Sequence, residues 1–182
     1  MNRNQILVRN IKHLTDARYF AAMGVDWMSM ELNNDPASFM KWHTLRDWVE
    51  GVKLVAEINT ADEMLLAKTI IDAKPHGIIF TQLSGTENAP DVELFFDTRY
   101  VDRDECPTGS FKIIPFENIG ADQILHLNPD TTFLQHDWTV DLLAHVLQAG
   151  YRGGICFTGG DEDATGMRNY ELMDQLLSLV NP

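Results

Sequence analysis

Apolar residues alternate along the chain between two kinds of segment. Ile6-Leu7-Val8 is short and rich in β-branched residues, which predicts a buried strand. Thr15 to Met23 reads as a helix, with Thr15 placed as its N-cap, Asp16 in the first turn and Gly24 just past its end. Asp26 to Leu32 returns to strand. Asp35-Pro36 opens a second helix in the order that caps prefer, and Phe39, Met40, Trp42, Leu45, Trp48 and Val49 follow at helical spacing. The third strand is expected over Lys53 to Ile58, with Thr60 placed as the cap of a helix from Ala61 to Ala73. Gly77 to Thr81 makes the fourth strand.

The middle of the chain is less regular. Val92 to Phe96 and Phe111 to Ile114 have strand character, but the stretch between them is polar and holds Asp102 to Glu105 and Pro107-Thr108-Gly109. Thr131 to Gln135 is a further strand. Val140 to Ala149 is an amphipathic helix ended by Gly150, Ile155 to Thr158 is a strand running into Gly159-Gly160, and the last helix is expected over Asn169 to Val180. Strands alternating with helices imply parallel βαβ units with right-handed crossovers. A generous count gives eight strands, the number in a (β/α)8 barrel, although such barrels usually run to about 250 residues. The expected fold is therefore α/β, a trimmed TIM-type (β/α)8 barrel in one domain over 1–182, with the helix loss placed in Ser84 to Ser110. A doubly wound sheet is the competing architecture. It would carry a glycine-rich loop after the first strand, where this chain has Arg9-Asn10-Ile11-Lys12-His13.

Composition narrows the function classes. Lys+Arg 14 against Asp+Glu 27 gives a net charge of -13, a poor electrostatic match to nucleic acid or anionic lipid. No apolar run approaches the roughly 20 residues of a bilayer span, and Met1 to Asn4 runs into the first strand without a signal-like apolar region. Cys106 and Cys156 are too few for a disulfide framework and too isolated for a zinc site. A cytoplasmic protein without metal or cofactor is expected. Asp161-Glu162-Asp163-Ala164-Thr165-Gly166 mimics the start of a calcium loop, but Leu172 stands where a bidentate Glu is required. Cys156, in an apolar run, reads as an inert buried thiol.

Four stretches resemble phosphoribosylanthranilate isomerase, a tryptophan-pathway enzyme with a (β/α)8 fold. The family opens K-I-C-G-[IL]-T-x-x-E-D-A and then A-x-x-x-G-A-D; here Leu7 to Ala17 reads L-V-R-N-I-K-H-L-T-D-A, followed by A-A-M-G-V-D at Ala21 to Asp26. The family's V-G-V-F-V-N resembles Leu54 to Asn59, and its Q-L-H-G-D-E resembles Gln82 to Glu87. Its S-S-G-V-E-x-x-P-G-x-K-D corresponds to T-G-G-D-E-D-A-T-G-M-R-N, Thr158 to Asn169. The resemblance covers the first half and the last quarter of the chain. It implies a phosphorylated sugar-type ligand and an Amadori rearrangement run by an aspartate acid and a cysteine base.

The departures fall on the chemistry. Aligned on Asp16-Ala17, the family's catalytic cysteine corresponds to Arg9 and the following glycine to Asn10. An arginine stays protonated and takes no proton. The substrate-binding S-P-[RK] segment is replaced by Leu32-Asn33-Asn34-Asp35. Leu94 to Thr98 resembles the family's L-L-D-T and offers Asp97 as the acid, though on the fifth strand rather than the sixth; Glu117, His136 and Asp137 are the alternatives. Barrels work at the C-terminal ends of their strands. Arg9, Gln82, Thr158, Gly159 and Gly160 are accordingly placed as ligand or phosphate contacts, the glycines because backbone amides can cradle an anion. Arg9 has a second reading, as an ion pair with Glu31 or Glu57 across the mouth. The expected function is a phosphosugar-binding barrel without normal isomerase activity. A non-catalytic binding or assembly module, or an enzyme of changed chemistry using strand-end carboxylates, are the alternatives. Shortened helices would expose apolar strand surface, so self-association is expected.

Overall fold

The computed structural model describes residues 3–89, 91–159 and 169–181, the side chains of residues 88, 121 and 122 excepted. Eight parallel strands pair in chain order: β1 (Ile6–Arg9), β2 (Trp27–Glu31), β3 (Lys53–Glu57), β4 (Gly77–Phe80), β5 (Glu93–Asp97), β6 (Phe111–Pro115), β7 (Thr132–Gln135) and β8 (Gly154–Thr158). The ring closes through β8 on β1, with Leu7 beside Cys156 and Arg9 beside Thr158. The chain is a trimmed (β/α)8 barrel.

Helices cover the ring unevenly. On the early strands lie α1 (Leu14–Ala22), α2 (Pro36–Trp48) and α3 (Glu63–Lys68), the last continued by a wider π-type turn over Thr69–Ala73. After β4 and β5 only the 3-10 turns Thr86–Asn88 and Arg103–Glu105 remain among the described residues. The loss extends beyond Ser110: the crossover after β6 holds one 3-10 turn, Phe116–Asn118, and the four-residue α4 (Ala121–Ile124). α5 (Val140–Gln148) and α6 (Glu171–Val180) complete the ring. Two caps differ from expectation. His13, not Thr15, precedes α1, and it makes no side-chain cap bond. Asp62, not Thr60, caps α3, its carboxylate accepting from the Leu65 amide; the Thr60 hydroxyl is buried with no partner among the described residues. Asp35 caps α2 as expected, accepting from the Ala37 amide.

The trimmed side is covered by the chain itself. Outward-facing Phe96, Ile114 and Leu134 are buried, and loop residues Leu83, Val92, Cys106, Phe116, Ile119 and Leu127 pack onto that core in place of helices. Trimming therefore does not bare the strands. Exposed apolar side chains are found both there, at Tyr100 and Leu125, and on α2, on α3 and on the turn after it, at Met40, Trp48, Met64 and Ile71. No described helix is long and apolar enough to cross a membrane.

Inside the ring, inward residues form layers of four from alternate strands, as barrel geometry requires. The lowest holds Trp27, Gly77, Phe111 and Gly154; Leu7, Val55, Phe95 and Phe133 stand above it. Aromatic bulk and glycine are complementary here: a Cβ on Gly77 would lie 2.7 Å from the Phe95 ring, and one on Gly154 2.3 Å from the Phe133 ring. Next come Ser29, Ile79, Ile113 and Cys156. The layer above them, from β1, β3, β5 and β7, is polar: Arg9, Glu57, Asp97 and Gln135.

Candidate functional site

That polar layer is an ion cluster built around one guanidinium. Arg9 is 9% exposed. Its Nε and Nη2 donate to the two carboxylate oxygens of Glu57 at 3.3 and 2.5 Å, and its Nη1 donates to Asp97 Oδ2 at 2.7 Å and to Gln135 Oε1 at 3.0 Å. Four of its five N–H groups are thus engaged. The Glu57 carboxylate also accepts from the Ser29 hydroxyl and, at 3.2 Å, from the Asn10 amide. Asp97, fully buried, is shared: Arg99 donates from Nε to Oδ1 at 2.9 Å, from Nη2 to Oδ2 at 2.5 Å, and from its own amide to Oδ1 at 3.1 Å.

The charges fix each other. Burial alone would push both carboxyls up. The Arg9 charge and its hydrogen bonds reverse this for Glu57, helped by Ser29 and the Asn10 amide, and hold it below the usual carboxylate range. Asp97 is likewise held low, by its hydrogen bonds from Arg99 and then by Arg9. For Arg9 burial opposes the charge, but Glu57 and Asp97 outweigh it and the guanidinium is held protonated. Cys156, buried in the layer beneath, is pushed up to about 12 by burial.

A cleft of about 530 Å³ opens beside this layer over the ends of β1 to β4. Its lining includes Glu31, Asn33, Asn34, Asn59, Thr81 and Tyr100. The ion pair expected for Arg9 forms with Glu57 and Asp97; Glu31 is exposed at the rim. Thr158 also reaches the mouth, its hydroxyl 3.4 Å from Gln135 Nε2. Gly159 closes onto β1: its amide donates to the Arg9 carbonyl at 2.6 Å, and a Cβ there would lie 3.0 Å from that oxygen. This amide is therefore occupied and not aimed at a ligand. Gly160 lies outside the described residues, as do Asp161 to Gly166. Gln82 is in the turn after β4, and the neighbouring residue that lines the cleft is Thr81. Glu117 and His136 pair at 3.3 Å. Asn10 adopts φ +59, a left-handed conformation that asparagine tolerates and that suits the glycine of the resembled motif.

Sequence reasoning missed three members of the site. Ser29 and Gln135 are inward by strand alternation, but only the register puts them beside Glu57 and Arg9. Arg99 follows Asp97 by two residues, and its link to that carboxylate is a local turn.

The class this architecture defines is the (β/α)8 barrel with a site at the C-terminal ends of its strands. No protein-family model and no curated relative matches the chain. Among solved structures it is similar to monomers generated from the dimeric phosphoribosylanthranilate isomerase of Thermotoga maritima, with TM-score 0.74 and 8% identity over 97% of this chain and 98% of that one. A phosphoribosylanthranilate isomerase in complex with reduced 1-(o-carboxyphenylamino)-1-deoxyribulose 5-phosphate gives TM-score 0.75 at 8% identity, with the same coverage. A thiamine phosphate pyrophosphorylase from Pyrococcus furiosus gives 0.65 at 14%, over 97% and 95% of the two chains. Over 97% of its length the chain is similar in fold to the phosphoribosylanthranilate isomerases.

Proposed function

We propose that this chain is a phosphoribosylanthranilate isomerase-like barrel that binds a phosphorylated sugar-type ligand at its mouth and does not perform the isomerase reaction. The observation that carries this reading is Arg9, which stands where the resembled motif has its base and is locked between Glu57 and Asp97. An Amadori rearrangement needs one group that gives a proton and one that takes it, each poised near the working pH. Arg9 takes none. Asp97, held ionised by two guanidinium groups, has no proton to give at neutral pH. Cys156 is sealed below the ion layer and stays a thiol.

Binding makes weaker demands. The carboxamides of Asn33, Asn34 and Asn59 and the hydroxyl of Thr81 line the cleft and suit sugar hydroxyls, which both donate and accept. The similar isomerase was captured with a ribulose 5-phosphate derivative, which favours a ligand of that class. The test is to incubate purified protein with phosphoribosylanthranilate and follow its conversion, and in parallel to titrate ribose 5-phosphate by calorimetry. Binding without conversion is expected. Turnover at an enzyme-like rate, lost in Asp97→Asn, would restore the isomerase. No binding, in a protein folded by circular dichroism, would leave an assembly module. For that alternative, exposed Met40, Trp48, Met64 and Ile71 supply a surface and the Thermotoga maritima protein is dimeric, so sedimentation at micromolar concentration is the relevant measurement.

A further inference from the structure

We infer that Arg99 is the residue that holds the anionic group of the mouth's ligand; this rests on the phosphosugar reading above and names the contact that reading lacks. The argument is an account of donors. A phosphate at the mouth needs several N–H or O–H groups with hydrogen left to give, and a guanidinium supplies them in a fork. Arg9 is the cation nearest the barrel axis, but four of its five N–H groups are committed to Glu57, Asp97 and Gln135, and the side chain is 11% exposed. The Gly159 amide is bound to the Arg9 carbonyl. His136 is engaged with Glu117.

Arg99 differs in each respect. Its side chain is 42% exposed. Nε and one hydrogen of Nη2 go to Asp97; both hydrogens of Nη1 and the second of Nη2 have no acceptor among the described residues. Its backbone is fixed by the bond from its amide to Asp97 Oδ1, and its guanidinium lies 5.7 Å from the ring of Tyr100, which lines the cleft. The guanidinium therefore neighbours Tyr100 of the cleft's lining, with Glu117 after β6 also within its electrostatic reach, and has three donors not taken by its carboxylate. Arg99 need not leave Asp97 to meet a ligand, because these three hydrogens can be offered while Nε and one Nη2 hydrogen stay on the carboxylate. Arg9 is then a positioning residue: with Arg99 it helps hold Asp97 ionised and in place, and Asp97 aims Arg99.

The experiment is calorimetric titration with ribose 5-phosphate and with ribose, at low salt, of the wild type, Arg99→Gln and Arg99→Lys. The wild type is expected to bind ribose 5-phosphate more tightly than ribose. Arg99→Gln should weaken the phosphate ester by about 10- to 100-fold, the range for charged hydrogen bonds, and leave ribose unchanged. Arg99→Lys, a charge without a fork, should fall between. If Arg99→Gln binds ribose 5-phosphate within twofold of the wild type, the anion sits elsewhere and the inference fails while the phosphosugar reading stands. If the wild type does not distinguish the two ligands, or binds neither, both fail. Urea unfolding of each variant separates loss of contact from loss of fold.

Discussion

Replacing Arg9 by methionine tests the ion layer directly. The substitution keeps a long side chain at the centre of the mouth but withdraws the charge and four hydrogen bonds. Asp97 retains Arg99. Glu57 retains only Ser29 and the Asn10 amide and becomes a mostly buried carboxylate, 19% exposed, without a cation. Removing one partner of a buried ion pair costs about 3–5 kcal/mol, because the remaining charge is left uncompensated. The variant should be destabilised by that amount in urea at pH 7. The penalty should also depend on pH with a definite sign. In the wild type Glu57 and Asp97 are held below their unfolded values, so they stabilise the fold above the ordinary carboxylate range, and this is lost as pH falls through the lowered values. Without Arg9, burial is the dominant influence on Glu57 and raises it above its unfolded value. Its penalty at pH 7 then fades as the carboxyl protonates toward about pH 4. The gap between variant and wild type must therefore narrow on acidification. Urea melts at pH 7, 5.5 and 4.5 measure it, and Arg9→Met/Glu57→Gln should recover part of the loss at pH 7. A penalty below about 1 kcal/mol, or one unchanged with pH, would refute the account of the layer.

Other substitutions probe the seams around this layer. Gly159→Ala should cost about 1–3 kcal/mol in urea unfolding, since its Cβ would meet the backbone oxygens of Arg9 and Asn10 at 3.0 and 3.1 Å. At Asn10, φ +59 makes Asn10→Gly tolerated and Asn10→Val costly by roughly 1–2 kcal/mol, again read from urea midpoints. Thr69→Val should raise stability by about 1 kcal/mol, because the Thr69 hydroxyl is fully buried and has no hydrogen-bond partner among the described residues.

What the sequence discloses and what it hides divide along the range of the interactions. α2 is legible at once, since Asp35-Pro36 is a local signal and the Asp35 carboxylate caps Ala37 two residues on. β1 is legible as a β-branched run. The cap of α3 is harder: Thr60 and Asp62 are both good N-cap residues before the same apolar run, and the Leu65 amide selects Asp62. α4 escapes notice because four residues cannot show a helical period. The site behaves in the same way. Arg9 and Asp97 can be singled out one at a time by motif likeness, but their contact spans 88 positions and four strands of a closed ring. Strand alternation makes Glu57 and Gln135 face inward; the register around the barrel raises them to the height of Arg9.

That common height is what allows an arginine to sit inside this fold. An arginine inside a barrel requires acceptors on other strands in its own layer. This chain supplies one from each of the three strands that share the layer with β1: Glu57 from β3, Asp97 from β5 and Gln135 from β7. The layer is thereby satisfied internally, and charges that could have titrated against a substrate are instead fixed against one another. On the proposed reading a ligand would rest on such a layer without entering it. The groups left to meet it belong to the rim, among them Glu31, Thr81 and Thr158 from even strands, and to the loops, Arg99 and the asparagines of the cleft. These groups are rich in donors and acceptors, and the Glu117–His136 pair stands beyond β6 and β7. Similarity of fold extends from phosphoribosylanthranilate isomerases to a thiamine phosphate pyrophosphorylase, so the backbone alone does not choose the reaction. In this chain the proposed loss of isomerase chemistry rests on Arg9, which stands where the resembled motif has its base and is paired with Glu57 and Asp97 in that layer.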